Sequence, residues 1–501
     1  MVELKAKLFD VEQGRNEVVL NEEQARELDL NVLDRVKLST GGKSIVAIVD
    51  HSRSLVARGE IGLFDEAAKS LNARKGVLVK IESAPRPASL DAIRKKLDGG
   101  ILSDAEVNEI IADLMDEKLS NAELAAFIGG IYTKGLTTEE TIALTKAIYA
   151  SGDALHFKRE PIVSEHSIGG IAGDRVSMLI VPIIASLGLT IPKTATRAIS
   201  SASGTADAME VLAPVALSAT QAERVVEKTG GCLIWGGALN IAAADDKLIK
   251  IRNPLRLDPE PLLLSSILAK KKAEGAQYVL LDIPVGLGAK IERIDKAREL
   301  AQSFEALGKH LGMEVQVVIT EGSEPLIESI GPALEARAVL QALSGKGNES
   351  LVEKACLMAG VLLSSVKGFT RSEGYKIAKY QITSGKALEK FRDIIEAQGG
   401  DPQVKPEDVK IGEFVETFKA SEEGKVAHVD NKIVSRVCRA LGAPVDKQAG
   451  MILKVAKGQR VSAGDELFEL RATTKEKLAL GSEVAKKFKV VEIERVILEV
   501  V

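Results

Sequence analysis

The tetrad Ala84-Pro85-Arg86-Pro87 constrains this chain more than any other stretch. Proline fixes φ and lacks an amide donor, so two prolines in three residues stop both a helix and a central strand. The hydrophobic pattern also changes across the tetrad. Before it, short apolar runs at 17–20, 36–38 and 45–49 are cut by Gly41-Gly42 and polar turns, with one helical stretch at 22–28. That pattern predicts a separate β-rich module over residues 1–84.

After the tetrad the period becomes helical. Ser103 with Glu106, Ser120 with Glu123, and Thr137 with Glu140 each put a hydroxyl at a helix start and a carboxylate three residues on. That is the spacing of a capping box, and it predicts a helical lobe over 88–155. From residue 160 strand candidates at 161–164, 232–235, 278–283 and 315–319 alternate with amphipathic stretches such as 291–310. Alternation of this kind predicts an α/β lobe over 160–395 with a mostly parallel sheet, the helical lobe taking in part of 243–273. Runs at 452–455, 458–461 and 466–470, with a Gly464-Asp465 turn, predict a small C-terminal α+β domain over 396–501. The expected fold class is thus α/β multidomain, and 501 residues are enough for several cores.

Composition removes some partners. The 67 basic and 71 acidic side chains leave a net charge of −4, which gives nucleic acid or an anionic membrane no electrostatic hold. Three distant cysteines, Cys232, Cys356 and Cys438, lack metal or disulfide spacing and fit a reducing cytoplasm. The start MVELKAKLFD carries no signal-peptide apolar stretch, and no run approaches the ~20 apolar residues of a membrane span. A cytoplasmic protein with no metal and no cofactor is expected.

Four segments carry chemistry. In the first, His166-Ser167-Ile168-Gly169-Gly170 and Gly173-Asp174-Arg175 join a short strand to an apolar helical run that includes Ser177. A glycine-rich turn at a helix start exposes amides to an anion, although the same pattern also makes a plain turn. In the second, seven hydroxyl or cationic side chains fall in the twelve positions 194–205, among them Thr196, Arg197, Ser200, Ser201 and Thr205. Hydroxyls suit a sugar or phosphate, and Arg197 can hold a phosphate through two parallel bonds; Ser and Thr also serve as caps and turns. In the third, Asp258 lies among leucines and prolines. An acid in apolar surroundings stays protonated and suits a general acid, whereas the plainer role is a helix cap. In the fourth, Lys290 ends a glycine loop after the strand candidate at 278–283, where open α/β sheets bind ligands; otherwise it is a surface lysine.

Together these segments resemble the thymidine and pyrimidine-nucleoside phosphorylases in order and spacing, over about residues 88–501. His166-Ser167-Ile168-Gly169-Gly170 resembles their phosphate loop, Arg197 through Gly204-Thr205-x-Asp207-x-x-Glu210 their signature, and Asp258-x7-Ser266-x3-Lys270 their base-binding helix. The N-terminal module and the stretch Thr196-Arg197-Ala198-Ile199-Ser200-Ser201 look more like the AMP phosphorylase branch of that family. The resemblance implies phosphorolysis of nucleoside 5'-monophosphates (AMP, with CMP and UMP) to free base and ribose 1,5-bisphosphate. It assigns nucleotide binding to Gly170, Thr196, Arg197, Ala198, Ile199, Ser200, Ser201, Thr205, Ser266 and Lys290, with Asp258 as proton donor. Inorganic phosphate falls to His166, Ser167, Gly169 and Ser177. The partners implied are the nucleotide, phosphate and further copies of the chain, as a homodimer or larger homo-oligomer.

One departure stands out. The family carries a lysine just before the His-Ser pair, where this chain has Glu165. A carboxylate there repels phosphate, so either Glu165 points away or a cation such as Lys193 or Arg175 compensates it. Three other readings compete. One is a pyrimidine nucleoside phosphorylase. Another is a Mg2+-dependent phosphoribosyltransferase using Asp245-Asp246, and the last a non-catalytic assembly protein.

Overall fold

The computed structural model describes residues 2–198 and 201–494. The chain divides into two compact units, Met1–Gly152 with Ala242–Ala269, and Asp153–Ile241 with Lys270–Val501.

The first unit begins with a closed barrel of six strands: β1 (Val2–Leu8), β2 (Glu17–Asn21), β3 (Arg35–Thr40), β4 (Lys43–Ser52), β5 (Glu60–Leu63) and β6 (Leu78–Ser83). They pair in the order β1-β5-β2-β4-β3-β6, and β6 returns to β1. Leu4, Val18, Leu20, Val36, Leu38, Val49, Ile61 and Val79 fill its interior. Closure removes the sheet edges that would otherwise pair with other chains.

The helical part of this unit comprises Ser89–Leu97, Asp104–Met115, Asn121–Lys134, Thr138–Ala150 and Ala243–Arg252. All three expected capping boxes form, with both reciprocal bonds present in each. Glu140 also accepts from Lys96 Nζ (2.7 Å) and from the Leu102 amide (2.8 Å), tying the first and fourth helices together. Arg35 of β3 reaches this bundle, donating to the Lys118 carbonyl at 2.7 Å and to Glu123 at 2.5 Å.

In the second unit β7 (Val163–Ser167), β8 (Ile191–Ala195), β9 (Gly231–Trp235), β10 (Tyr278–Val285) and β11 (Glu314–Glu321) are all parallel to their neighbours. Three form the order β11-β10-β7, β8 and β9 pair, and the bridge Ile162–Thr190 links the two sets. The helix Ser177–Ser186, buried from Ser177 to Ala185, sits in the main core with helices Pro332–Leu343 and Glu349–Lys367. This packing turns the carboxyl ends of β7 and β10 into a platform of loops. The multidomain α/β class expected from the sequence is what the chain adopts.

The rest of the unit is antiparallel. β12 (Ser329–Ile330), β13 (Phe414–Lys419), β15 (Gly450–Leu453) and β17 (Glu466–Ala472) form one sheet. A second comprises β14 (Gly424–Val429), β16 (Arg460–Val461) and β18 (Val491–Glu494). Helices Asn431–Ala440 and Lys475–Lys487 accompany them. β12 precedes residue 396 in sequence yet pairs with β15, because fully buried Ile330 joins that domain's core. Among the described residues no helix is long and apolar enough to cross a membrane.

Candidate active site

The glycine-rich turn leaves β7 at its carboxyl end. Gly169 and Gly170 have φ of 83° and 104°, a region that strains residues with a Cβ. Gly170 is also close-packed: a Cβ there would lie 3.1 Å from the Lys290 amide nitrogen. The loop after β7 and the loop after β10 therefore touch, which brings two of the expected nucleotide residues together. The Ser167 hydroxyl accepts from the Gly169 amide at 3.3 Å, and Ala172 donates to Asn431 at 2.9 Å. Ser177 is buried in the first turn of the following helix, whose positive end faces the turn.

Beneath this turn lies a cationic cluster. Burial, then the field of Lys193, Lys271, Lys270 and Lys290, holds the His166 imidazole well below the usual histidine range. The imidazole is therefore a neutral hydrogen-bonding group within the field of these lysines. Glu165 is fully buried, and Lys193 Nζ lies 2.9 Å from its Oε1 while donating to its backbone carbonyl at 2.7 Å. Lys193 is thus the compensating cation. Arg175 turns elsewhere, to Glu335 at 2.7 Å.

A second buried pair backs the first. Lys271 Nζ donates to Glu274 at 2.8 and 2.9 Å and to Ser164 at 3.1 Å, while Ser164 and Thr194 hydroxyls also donate to Glu274. Burial, opposed by Glu274, pushes the Lys271 ammonium down.

The hydroxyl-rich stretch after β8 forms a closed loop. Asp207 Oδ2 accepts from the amides of Ala198 (2.7 Å) and Gly204 (3.0 Å). A Cβ on Gly204 would lie 2.5 Å from the Thr196 carbonyl, so glycine is needed for the closure. Arg197 donates to both oxygens of Glu210 at 2.5 Å and stacks 4.8 Å from the Trp235 ring. The bidentate fork expected to take phosphate is therefore engaged with Glu210, which Arg197 pushes down to about 2. Arg175 donates to the Thr205 hydroxyl (3.0 Å) and the Ser203 carbonyl (3.0 Å), fixing the loop's far end. Thr196 is exposed, Ser201 is half-buried and bonded to the Ser203 carbonyl at 3.1 Å, and Ile199 and Ser200 lie outside the described residues.

Asp258 and Ser266 belong to the first unit. Ser266 donates to Asp245 at 2.6 Å in a buried contact. Asp258 departs from its expected surroundings. Arg252 Nη1 donates to Asp258 Oδ1 at 2.6 Å, the Asp258 side chain is 32% exposed, and nearby Leu255 is 66% exposed. The ion pair and the partial exposure set Asp258 apart from the apolar surroundings expected of it. A groove of about 900 Å³ lined by Pro161, Tyr278, Lys309 and Val315 opens at the amino ends of β7, β10 and β11. The glycine turn and the Lys290 loop lie at the carboxyl ends of β7 and β10 instead, where parallel sheets take ligands. Among the described residues no group of three or more His, Cys, Asp or Glu is placed to hold a metal ion.

The family models agree with this layout. The glycosyl transferase family helical bundle domain matches residues 90–152, and that family's a/b domain matches residues 159–388. AMP phosphorylase from Thermococcus kodakarensis is 44% identical over 99% of this chain and 98% of its own. The AMP phosphorylase from Pyrococcus horikoshii is 46% identical over 99% of both. The chain belongs to the AMP phosphorylase family. Among solved structures, anthranilate phosphoribosyltransferase from Thermus thermophilus matches 62% of this chain and 99% of its own, at 19% identity and TM-score 0.53. At that identity the likeness is one of fold.

Several residues of this family member's site give no obvious sequence signal. Lys354, next to Glu353 in the helix Glu349–Lys367, bridges Asp174 (2.9 Å) and buried Asp282 (2.8 Å) below the glycine turn. Lys271 and Glu274 sit in a charged run, 270–274, that reads as a solvated helix end yet is buried at both positions.

Proposed function

We propose that this protein cleaves AMP with inorganic phosphate, releasing adenine and ribose 1,5-bisphosphate, and accepts CMP and UMP in the same site. A phosphate oxygen attacks C1', the C1'–N bond breaks with its electron pair going to the base, and the base nitrogen takes a proton. The observation that carries this reading is the family membership over 99% of the chain. The lysines that act on a neutral His166 at the end of β7, two of them paired with Glu165 and Glu274, support the binding of anionic substrates.

Asp258 is the proposed proton donor. That role rests on the resemblance of Asp258-x7-Ser266-x3-Lys270 to the base-binding helix of the wider family. Gly169, Gly170, Ser167 and the helix starting at Ser177 hold the attacking phosphate. The nucleotide falls to the 196–205 stretch and Lys290 of the second unit; Ser266 of the first unit is assigned to nucleotide binding on the family resemblance alone. The reaction needs no metal, so it continues in EDTA. The chain works as a homodimer or larger homo-oligomer, measurable by light scattering on the same sample.

The test is base release from AMP, CMP, UMP, uridine or thymidine, with and without phosphate, in EDTA. Phosphate-dependent release from monophosphates alone is expected. Release only from nucleosides would replace this reading with the nucleoside-phosphorylase one, and dependence on Mg2+ would point to a transferase. Asp258→Asn is expected to lower kcat by ~10²–10⁴ with AMP binding retained; full turnover in that variant removes Asp258 from the chemistry.

A further inference from the structure

We propose that Lys447, on the C-terminal domain, is a positioning residue for the 196–205 loop and sets how tightly that loop holds the nucleotide. The proposal rests on reading that loop as nucleotide-binding.

Lys447 lies 240 residues from the loop in sequence, yet its Nζ is 3.0 Å from Asp207 Oδ1 and 2.9 Å from Glu210 Oε2. These two carboxylates organise the loop. Asp207 takes the Ala198 and Gly204 amides on its other oxygen, and Glu210 takes both prongs of Arg197. Asp207 is buried at 1% exposure, so each of its cationic contacts acts with little screening.

The ammonium is delivered by a fixed backbone. The Lys447 carbonyl accepts from the Ala333 amide at 2.9 Å, at the start of helix Pro332–Leu343. The preceding residue, Asp446, is held by Lys477 at 2.7 Å and by the Thr473 hydroxyl. The C-terminal domain therefore presents one cation to the two acids from a turn that is itself pinned on both sides.

The charge count gives this contact a consequence for substrate. Arg197 and Lys447 together balance Asp207 and Glu210. Without Lys447 the group carries one excess negative charge directly under a loop that must accept a phosphate dianion. The loop also loses one of the contacts that fix Asp207 Oδ1 and, through that carboxylate, its two amides. Both effects weaken nucleotide binding more than they alter bond cleavage.

The experiment uses the full chain, with Lys447→Met and Lys447→Arg beside the wild type. Hydrogen exchange at the Ala198 and Gly204 amides reads loop closure without reference to any substrate. Steady-state kinetics read KM for AMP and for phosphate separately. In Lys447→Met, exchange at these amides should rise and KM for AMP increase about tenfold, equivalent to about 1.4 kcal/mol. KM for phosphate and kcat should change far less, and Lys447→Arg should recover most of the loss. Unchanged exchange in Lys447→Met overturns the proposal. So does a loss spread evenly over kcat, both KM values and exchange throughout the C-terminal sheets, which is what a purely structural lysine would give. Absence of AMP turnover in the wild type would refute the functional reading, while the exchange arm still decides the role of Lys447.

Discussion

Replacing Lys193 with methionine isolates the feature in which this chain departs most from its wider family. The variant leaves Glu165 at 0% exposure without its cation at 2.9 Å, and removes the 2.7 Å bond to the Glu165 carbonyl. Breaking a buried pair from one side destabilises by about 3–5 kcal/mol. The carboxyl can limit the loss by taking up a proton. The lost hydrogen bond adds about 1 kcal/mol. The second unit holds about 320 residues, for which about 4 kcal/mol corresponds to a melting shift of ~6 °C.

The sign with pH follows. Protonating a buried carboxyl that has lost its cation costs less in acid, so the deficit should shrink as pH falls. Trp235, the single tryptophan, lies on β9 and reports this unit by fluorescence during urea unfolding. Adding Glu165→Gln should recover about 2 kcal/mol or more, because the pair is then neutral on both sides. A Lys193→Met variant within 1 kcal/mol of wild type at pH 7, a deficit that does not shrink in acid, or a double variant no better than the single one would each refute the reasoning.

Two further outcomes are expected. His166 resists protonation in the folded state, chiefly through burial and then through Lys193, so the unfolded chain takes up a proton near pH 6.5 that the folded chain refuses. Its contribution is complete above pH 6.5 and is lost as pH falls below it, and His166→Asn should flatten that part of the stability–pH profile measured by urea unfolding. Gly204→Ala places a Cβ 2.5 Å from the Thr196 carbonyl and 2.8 Å from the Ala198 amide, forcing the loop open. Loss of about 1–3 kcal/mol in stability and a marked rise in KM for AMP are expected; a variant equal to wild type in both would show that the closure is dispensable.

The legible parts of the fold are those written in short-range chemistry. Ser103, Ser120 and Thr137 cap helices where their spacing from Glu106, Glu123 and Glu140 indicated. Strand candidates at 232–235, 278–283 and 315–319 fall on β9, β10 and β11 because they are apolar runs buried in a parallel sheet. β8 was not among the candidates, since Pro192 breaks the pattern and its lysine and threonine look solvated; buried partners Glu165 and Glu274 satisfy them. The site divided along the same line. Gly170 and Lys290 were indicated by loop position, and they meet. The surroundings of Asp258 are not legible because sequence neighbours need not be spatial neighbours, and residue type alone does not reveal that Glu210 engages Arg197.

That last point bears on how the site holds anions. A cation in a phosphate-binding motif invites the conclusion that it touches phosphate. Here Arg197 spends both prongs on Glu210, Arg175 is committed to Glu335, Thr205 and Ser203, and Lys193 and Lys271 are paired and buried. These cations are engaged within the protein, where they shape loops and set the local field. Glu165 in place of the family's lysine is then tolerable for a definite reason. Its charge is cancelled one layer down by Lys193, while Lys270, Lys271 and Lys290 still act on His166. The anion preference of such a site depends on the charge balance of the whole cluster, in which Lys193 offsets Glu165.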